Sequence, residues 1–210
     1  MLNFLNQYAK NYTFSQNGEE GVILECLRRL DGVTPQPGHA IEIGGNDGRY
    51  CSNIALLLRD NWSGLFVEAD YGLYLQSIAN WSDFPAVRHQ CSKVDERNIN
   101  AFVDERCDLL SLDTDGSDYR IFQGLQARPE IVIVEIDSSY PPQYAGFNKD
   151  GAGTYRNTVE LGISKGYFLL CHTGNLIFLL NEYRHLFPEI VGDGLSNAEL
   201  YFRGDWLHRV

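Results

Sequence analysis

Short apolar runs alternate with segments of helical periodicity from Gly38 onward. This alternation is typical of a mainly parallel sheet with helices on both faces. The apolar runs predict seven strands, at residues 39–44, 64–68, 86–89, 109–113, 131–137, 167–172 and 176–180. Helical spacing predicts helices at residues 19–30, 51–59, 72–79, 96–105, 117–125 and 155–165.

The last two predicted strands are separated only by Thr173, Gly174 and Asn175. This connection is too short for a parallel crossover, so the two strands should form an antiparallel hairpin. The sequence therefore predicts an α/β fold with three layers and a Rossmann-like sheet of seven strands, mostly parallel, with a C-terminal antiparallel hairpin. We predict one domain over residues 1–210, made of an N-terminal helical segment at 1–37 and a Rossmann-like core at 38–210.

A loop rich in glycine and small polar residues, 44–48, follows the first predicted strand. Glycines at a strand-to-helix turn allow positive φ and a close approach of the backbone to a ligand. Glu42 and Asp47 accompany this loop, and Glu68 ends the next predicted strand. Carboxylates suit an amino group and a ribose diol better than a pyrophosphate. The pattern therefore favours S-adenosylmethionine over a dinucleotide, and the alternative is a tight turn with no ligand.

Four sequence blocks resemble the FkbM-like S-adenosylmethionine-dependent methyltransferases. The blocks are SQNGEEG at 15–21, EIGGNDG at 42–48 with Ser52 and Asn53, WSGLFVE at 62–68 and LSLDTDGSDY at 110–119. The resemblance implies a class I methyltransferase fold with S-adenosylmethionine as cofactor. It also implies that Gly44, Asn46 and Asp47 line the methionine portion, Glu68 holds the ribose hydroxyls, and Cys91 and Ser92 lie beside the adenine.

Four further residues are candidate cofactor contacts, namely Gln16, Glu42, Ser52 and Asn53. Gln16 belongs to the segment 15–21, which either caps the first helix or also roofs the pocket. Asp70 departs from the family pattern, in which a proline is expected at this position.

Acidic residues follow two predicted strands that are adjacent in the expected sheet order. Asp113, Asp115 and Asp118 follow the fourth strand, and Glu135 and Asp137 follow or end the fifth. Carboxylates at neighbouring strand ends can share a hard cation, so we predict a Mg²⁺ or other divalent site of Asp113, Glu135 and Asp137. In a second interpretation Asp113 or Asp115 is a metal-free general base, and in a third Asp115 and Asp118 cap the next helix.

His172 ends the sixth predicted strand, at the expected active edge of the sheet. It is a third candidate catalytic residue beside Asp113 and Asp115, and the alternative is a histidine that serves only the turn. Tyr140 and Tyr144 lie in the loop after the fifth strand, where their rings suit stacking on a sugar or a polyketide.

Charge and cysteine usage restrict the expected partners and compartment. A formal net charge of -11 argues against nucleic acid and anionic membranes. Five scattered cysteines without a CxxC spacing indicate reduced thiols. With no secretory signal or membrane-spanning run in the sequence, we expect a cytoplasmic protein with a small hydroxylated substrate, and a homodimer as a candidate assembly.

The residues and the resemblance together predict an S-adenosylmethionine-dependent O-methyltransferase. The acceptor would be a hydroxyl of a small metabolite, sugar or polyketide, with a divalent metal as an option. One alternative is a Mg²⁺-dependent phosphatase of the haloacid-dehalogenase type, with Asp113 as nucleophile, Asp115 as acid and base, and a late metal motif at 192–197. Another is a nucleotide-binding module without catalysis.

Overall fold

A computed structural model describes residues 8–9, 13–34 and 36–195. The strands are β1 His39–Ile43, β2 Ser63–Glu68, β3 Val87–Cys91, β4 Leu109–Leu112, β5 Ile131–Glu135, β6 Tyr167–His172 and β7 Asn175–Leu180. The α-helices are α1 Glu19–Leu30, α2 Ala55–Arg59, α3 Tyr71–Asn80, α4 Asp118–Gly124 and α5 Tyr155–Ser164.

The strands form one sheet in the order β3-β2-β1-β4-β5-β7-β6. Strands β1 to β5 pair in parallel, whereas β7 is antiparallel to both β5 and β6. The predicted fold class is thus confirmed, including the terminal hairpin. The chain runs outward from β1 to β3 and then returns to β4 on the other side of β1. This reversal creates a crevice at the carboxyl ends of β1 and β4, where open α/β sheets bind ligands.

Apolar side chains pack on both faces of the sheet, which explains the continuous hydrophobic runs in the sequence. On one face, Val22 and Ile23 of α1 pack with Phe66 and other buried residues. On the other face, Ile121 and Phe122 of α4 belong to a second buried cluster. Within the described ranges, no helix is long and apolar enough to cross a membrane. The single-domain organisation stays a prediction.

The helix predicted at 96–105 is wrong, because the structure has only a short 3₁₀ segment, Ile99–Ala101, in this region. Side chains compete here for the backbone amides that a helix would use. Asp95 Oδ1 accepts hydrogen bonds from the amides of Arg97 and Asn98, and Asp104 Oδ1 accepts one from Arg106. Such local bonds stabilise turns at the expense of helix.

Glu25 joins two arginines within the last two turns of α1. Its carboxylate lies 2.7 Å from Nε of Arg28 and 2.8 Å from Nε of Arg29. The hydrogen bonds from Arg28 are the main reason why the pKa of Glu25 falls to about 2, even though partial burial acts in the opposite direction.

We expect Glu25→Gln to lower the free energy of unfolding at pH 7 by about 1–2 kcal/mol, because the variant loses a charge-assisted pair of bonds. The folded pKa lies below the ordinary value of 4.5, so this stabilisation is present above pH 4.5 and is lost as the pH falls toward 2. Urea unfolding at pH 7 and pH 3 measures the difference, with exposed Glu105→Gln as control. An equal difference at both pH values would contradict the prediction.

Candidate functional site

A cavity of about 620 Å³ lies at the carboxyl edge of the sheet, where the chain order reverses. This volume is in the range that holds a drug-sized ligand. Most of the predicted site residues line it, namely Gln16, Glu42, Gly44, Asn46, Ser52, Glu68, Ser92, Asp113, Asp115 and Glu135. One cavity therefore contains the candidate cofactor loop and the candidate carboxylates.

The backbone of the loop after β1 lies so close to the end of β4 that there is no space for a side chain at Gly44. Gly44 has a φ of 82°, and a Cβ atom built on it would lie 1.6 Å from the carbonyl oxygen of Asp113. The amides of Gly44 and Gly45 donate to the carbonyl of Val67 at 2.9 and 3.3 Å, which fixes the loop to the end of β2. Glycine at position 44 thus allows the loop to lie against β4, and its backbone lines the cavity.

Glu68 ends β2 and is held in place by two backbone amides. Asn46 N–H donates to Oε2 and Asp70 N–H donates to Oε1, both at 2.8 Å. Each carboxylate oxygen retains a second lone pair, so the oriented side chain can accept two hydroxyl groups. This arrangement fits a ribose diol. Asp70 replaces the proline of the family pattern because its side chain caps α3, accepting from Leu73 N–H at 2.9 Å.

Glu42 is a buried carboxylate that shapes the segment after the glycine loop. It accepts hydrogen bonds from the hydroxyl of Ser52 at 2.6 Å and from the amide of Asn53 at 2.8 Å. These bonds, together with a positive φ of 58° at Cys51, explain why α2 begins at Ala55 and not at the predicted residue 51. Burial raises the pKa of Glu42 to about 7.

Two carboxylates of this region fit a cationic cofactor such as S-adenosylmethionine. Glu42 and Glu68 lie in the same cavity, where they suit an ammonium group and hydroxyl groups. Asn53 Oδ1, beside Glu42, is buried and has no hydrogen-bond partner within the part of the chain that the structure describes, but Asn53 does not line the cavity.

Three predicted cofactor residues do not line the cavity. Asp47 Oδ1 accepts hydrogen bonds from the amides of Arg49 and Tyr50, so its carboxylate folds a turn. Asn53 supports Glu42 from behind the cavity wall, and Cys91 lies against the carbonyl of Ala69. The structure therefore gives these residues supporting positions.

Asp113, Asp115 and Glu135 form a carboxylate group on the cavity wall. One oxygen from each lies within 4.8 Å of the others. Burial raises the pKa of both Asp113 and Glu135. The negative charges of Asp118 and Asp115 raise the pKa of Asp113 further, and the negative charge of Asp113 raises the pKa of Glu135 further. Carboxylates this close need a proton or a cation between them. Three oxygen donors fit a hard cation such as Mg²⁺.

Asp118 begins α4 and folds the loop that carries two of these carboxylates. It accepts hydrogen bonds from Thr114 N–H at 2.7 Å, from the Thr114 hydroxyl at 2.9 Å and from Gly116 N–H at 3.1 Å. Asp115 adopts a positive φ of 56° within this loop. Of the two residues that the capping interpretation named, Asp118 serves the turn, whereas Asp115 joins the carboxylate group.

Asp137 and His172 lie outside the carboxylate group. Asp137 accepts from the amide of Ser139 and from Asn148 Nδ2, both at 2.9 Å, because β5 ends at Glu135 and the chain turns away. His172 is only 1% exposed and contacts the Ser138 hydroxyl, and it does not line the cavity. Two strands, β5 and β7, separate β6 from β4, which explains this distance.

Several residues of the cavity wall were not predicted from the sequence, among them Tyr50, Leu73, Lys93 and Thr114. Lys93 and Thr114 directly follow the predicted site residues Ser92 and Asp113, so their positions in the sequence could have indicated them. Leu73 enters from the first turn of α3, and no local pattern distinguishes it from a core residue.

Comparison with known proteins supports the same assignment. Residues 73–152 match the methyltransferase FkbM domain, a range that includes Asp113, Asp115 and Glu135. No curated protein matches the chain by sequence.

Several solved methyltransferases share the fold. The bifunctional kinase-methyltransferase WbdD aligns with a TM-score of 0.58 at 16% identity, over 79% of this chain and 39% of WbdD. The CMeT domain of citrinin polyketide synthase aligns at 0.53 and 13% identity, over 80% of this chain and 54% of that one. The CurJ carbon methyltransferase aligns at 0.50 and 12% identity, over 76% and 51%.

The chain spans about half or less of the length of these proteins, and at such identities the likeness concerns the fold alone. The family match adds sequence information over α3 to β5, where the carboxylate group lies. Together these findings show that the chain shares the fold of these methyltransferases and that its residues 73–152 resemble the methyltransferase FkbM domain.

Proposed function

We propose that the protein transfers a methyl group from S-adenosylmethionine to a hydroxyl group of a small metabolite, such as a sugar or a polyketide. The observation that carries this proposal is the composition of the cavity at the carboxyl edge of the sheet. Its glycine loop and Glu68 suit the cofactor, while Asp113, Asp115 and Glu135 lie on the same wall and suit activation of a hydroxyl. Donor and acceptor would thus meet in one cavity.

On the cofactor side, Glu68 would accept the ribose hydroxyls, and Glu42 would lie near the amino group. S-adenosylmethionine supplies a methyl group on a sulfonium, which is already a good electrophile. The protein's main tasks are therefore to align the two reactants and to exclude other geometries. Gly44 contributes by leaving room beside the end of β4.

On the acceptor side, Asp113 is the residue that we propose to remove the hydroxyl proton. Its raised pKa makes it a better base toward a hydroxyl than an ordinary aspartate. A divalent cation would be held by Asp113, Asp115 and Glu135, and when bound it would lower the pKa of the acceptor hydroxyl. In both versions Asp113 faces the acceptor.

An aromatic group in the loop after β5 supports a ring-shaped acceptor. The rings of Tyr140 and Tyr144 are stacked with centroids 4.7 Å apart, and Phe147 packs edge-on against Tyr119 at 4.9 Å. Tyr144 and Phe147 are 41% and 44% exposed. Tyr119 lies in α4, which directly follows the loop of Asp113 and Asp115. Tyr144 is exposed and Tyr140 half-buried, and tyrosine rings at the surface suit stacking on a sugar or polyketide ring.

The two alternatives have less support. A haloacid-dehalogenase-type phosphatase leaves the glycine loop and Glu68 without a role, and the family match that contains Asp113 and Asp115 is to a methyltransferase. Asn197 of its late motif lies outside the described residues. A module without catalysis does not explain why three carboxylates are held together on the cavity wall.

Glu68→Ala is expected to weaken the binding of S-adenosylhomocysteine about 100-fold, because two charge-assisted hydrogen bonds to the ribose would be lost. Glu68→Gln should lose about 10-fold, since one carbonyl oxygen remains. Calorimetric titration measures both, and exposed Asp83→Asn is the control. Equal affinity of Glu68→Ala and wild type would exclude the ribose role.

The reaction itself is tested by a screen of hydroxylated acceptors in which release of S-adenosylhomocysteine is measured, with added Mg²⁺ and with excess chelator. Product formation on a hydroxyl in either condition supports the proposed function. Activity that persists in chelator would limit Asp113 to the metal-free role. Methylation confined to nitrogen or carbon acceptors would overturn O-methyl transfer.

A further inference from the structure

The N-terminal strap, defined as residues 13–18, lies just before α1 and reaches the cavity at Gln16. Gln16 is exposed to solvent on one side and lines the cavity on the other. Ser15 pairs with Cys51, which also lines the cavity. Among the described residues before α1, the strap thus contacts the candidate cofactor site through Gln16.

The first half of the strap is held by Glu20. This carboxylate accepts hydrogen bonds from the amides of Thr13 at 2.6 Å and Phe14 at 3.0 Å. In return, Ser15 Oγ accepts from the amide of Glu20 at 3.4 Å. These three hydrogen bonds connect the strap to α1, the helix that follows it.

Glu19 connects the second half of the strap to a distant part of the chain. It is completely buried, and it accepts hydrogen bonds from Asn17 N–H at 2.9 Å, from the Thr173 hydroxyl at 2.9 Å and from Asn175 Nδ2 at 3.4 Å. Thr173 lies in the tight connection between β6 and β7, and Asn175 is the first residue of β7. A buried carboxylate is costly unless such donors surround it.

Capping of α1 accounts for only part of the role of this carboxylate. The N-cap residue Gly18 has no side chain, and Ser15 Oγ and the Glu19 carboxylate each accept from an amide of the first turn. The other bonds of Glu19 run to the amide of Asn17, before the helix, and to Thr173 and Asn175. Asn175 in turn pairs with Glu135 in the β5–β7 ladder, so the connection is fixed to the strand that carries one of the cavity carboxylates.

We propose that Glu19 is a positioning residue that holds Gln16 over the cofactor cavity by joining the strap to Thr173 and Asn175. This inference rests on the proposed function, because it assigns the strap to the cofactor. This bond network acts together with the Ser15–Cys51 pairing and the bonds of Glu20 to keep the strap at the cavity. In this proposal Gln16 contacts the cofactor, and Glu19 affects cofactor binding only by positioning Gln16.

The test is a double-mutant cycle measured by calorimetric titration with S-adenosylhomocysteine. Thr173→Val keeps the side-chain shape and removes the donor to Glu19, and Gln16→Ala removes the contact. We expect each single variant to bind about 5- to 10-fold more weakly. The double variant should bind no more weakly than Gln16→Ala, because both changes act through one contact. Independent effects, which multiply in the double variant, would overturn the proposal.

Glu25→Gln is the matched control, since it alters another buried carboxylate of α1 that does not contact the strap. Its affinity should stay within about twofold of wild type even though its stability falls. Hydrogen exchange at the amide of Asn17 should be faster in Thr173→Val than in wild type. A wild-type protein that does not bind S-adenosylhomocysteine would refute the proposed function. A wild type that binds, with unchanged affinity in Thr173→Val, would refute the positioning role alone.

Discussion

Asp113→Asn is expected to lower the rate of methyl transfer by about 10²- to 10⁴-fold, the usual contribution of a positioned base. Asparagine has nearly the same shape, but it cannot accept the proton of the acceptor hydroxyl. It also removes one of the three carboxylates that lie within 4.8 Å of one another. S-adenosylhomocysteine should still bind within about threefold of wild type, because Glu68 and the glycine loop are unchanged. The effect would then concern the acceptor side alone.

Asp137→Asn is the matched control for this prediction. Asp137 follows the next strand, but its carboxylate is bound to Ser139 and Asn148 and lies outside the group. Its variant should retain most of the methyl-transfer rate. Electron paramagnetic resonance of bound Mn²⁺ compares cation binding by Asp113→Asn, Asp137→Asn and the wild type, and this measurement needs no acceptor. Loss of activity in Asp137→Asn with full activity in Asp113→Asn would reverse the assignment.

Gly44→Ala is expected to prevent stable folding, with a loss of more than about 4 kcal/mol. The added methyl group would lie 1.6 Å from the carbonyl oxygen of Asp113, a backbone atom of a central strand end that cannot move aside. The positive φ of 82° adds a further penalty of about 1–2 kcal/mol for any residue with a Cβ. Circular dichroism and urea unfolding measure the outcome.

Gly32→Ala separates the two causes. Gly32 has a similar φ of 78°, but no atom lies within 4 Å of the position where its Cβ would be. This variant should therefore lose only about 1–2 kcal/mol, from the backbone penalty alone. If both variants were equally stable, the close approach of the β1 loop to the end of β4 would not be a constraint on this fold.

The sheet could be predicted from the sequence because its strands are short, continuous apolar runs. Within 131–135, for example, alternation is absent because both faces of β5 are covered, and a run of five residues is too short for a typical helix. The three-residue connection at 173–175 fixed the direction of the last strand. The helix predicted at 96–105 failed because Asp95 and Asp104 bond to nearby amides, and periodicity does not include this competition.

The candidate site could be predicted in part, wherever a residue lies at the end of a strand. Gly44, Glu68 and Asp113 follow this rule, since parallel strands direct their carboxyl ends to one edge. Asp115 and Asp137 did not follow it, because a positive φ turns Asp115 toward the group while the chain after β5 carries Asp137 away. The bonds of Glu19 to Thr173 span most of the chain, and no local pattern indicates them.

The most direct test of the account is calorimetric titration of the wild-type protein with S-adenosylhomocysteine, with and without Mg²⁺. We expect one binding site per chain, with an affinity that depends on Glu68 and changes little with Mg²⁺, since the candidate cation ligands lie on the acceptor side of the cavity. Absence of binding to the folded protein would contradict the assignment of the cavity to this cofactor.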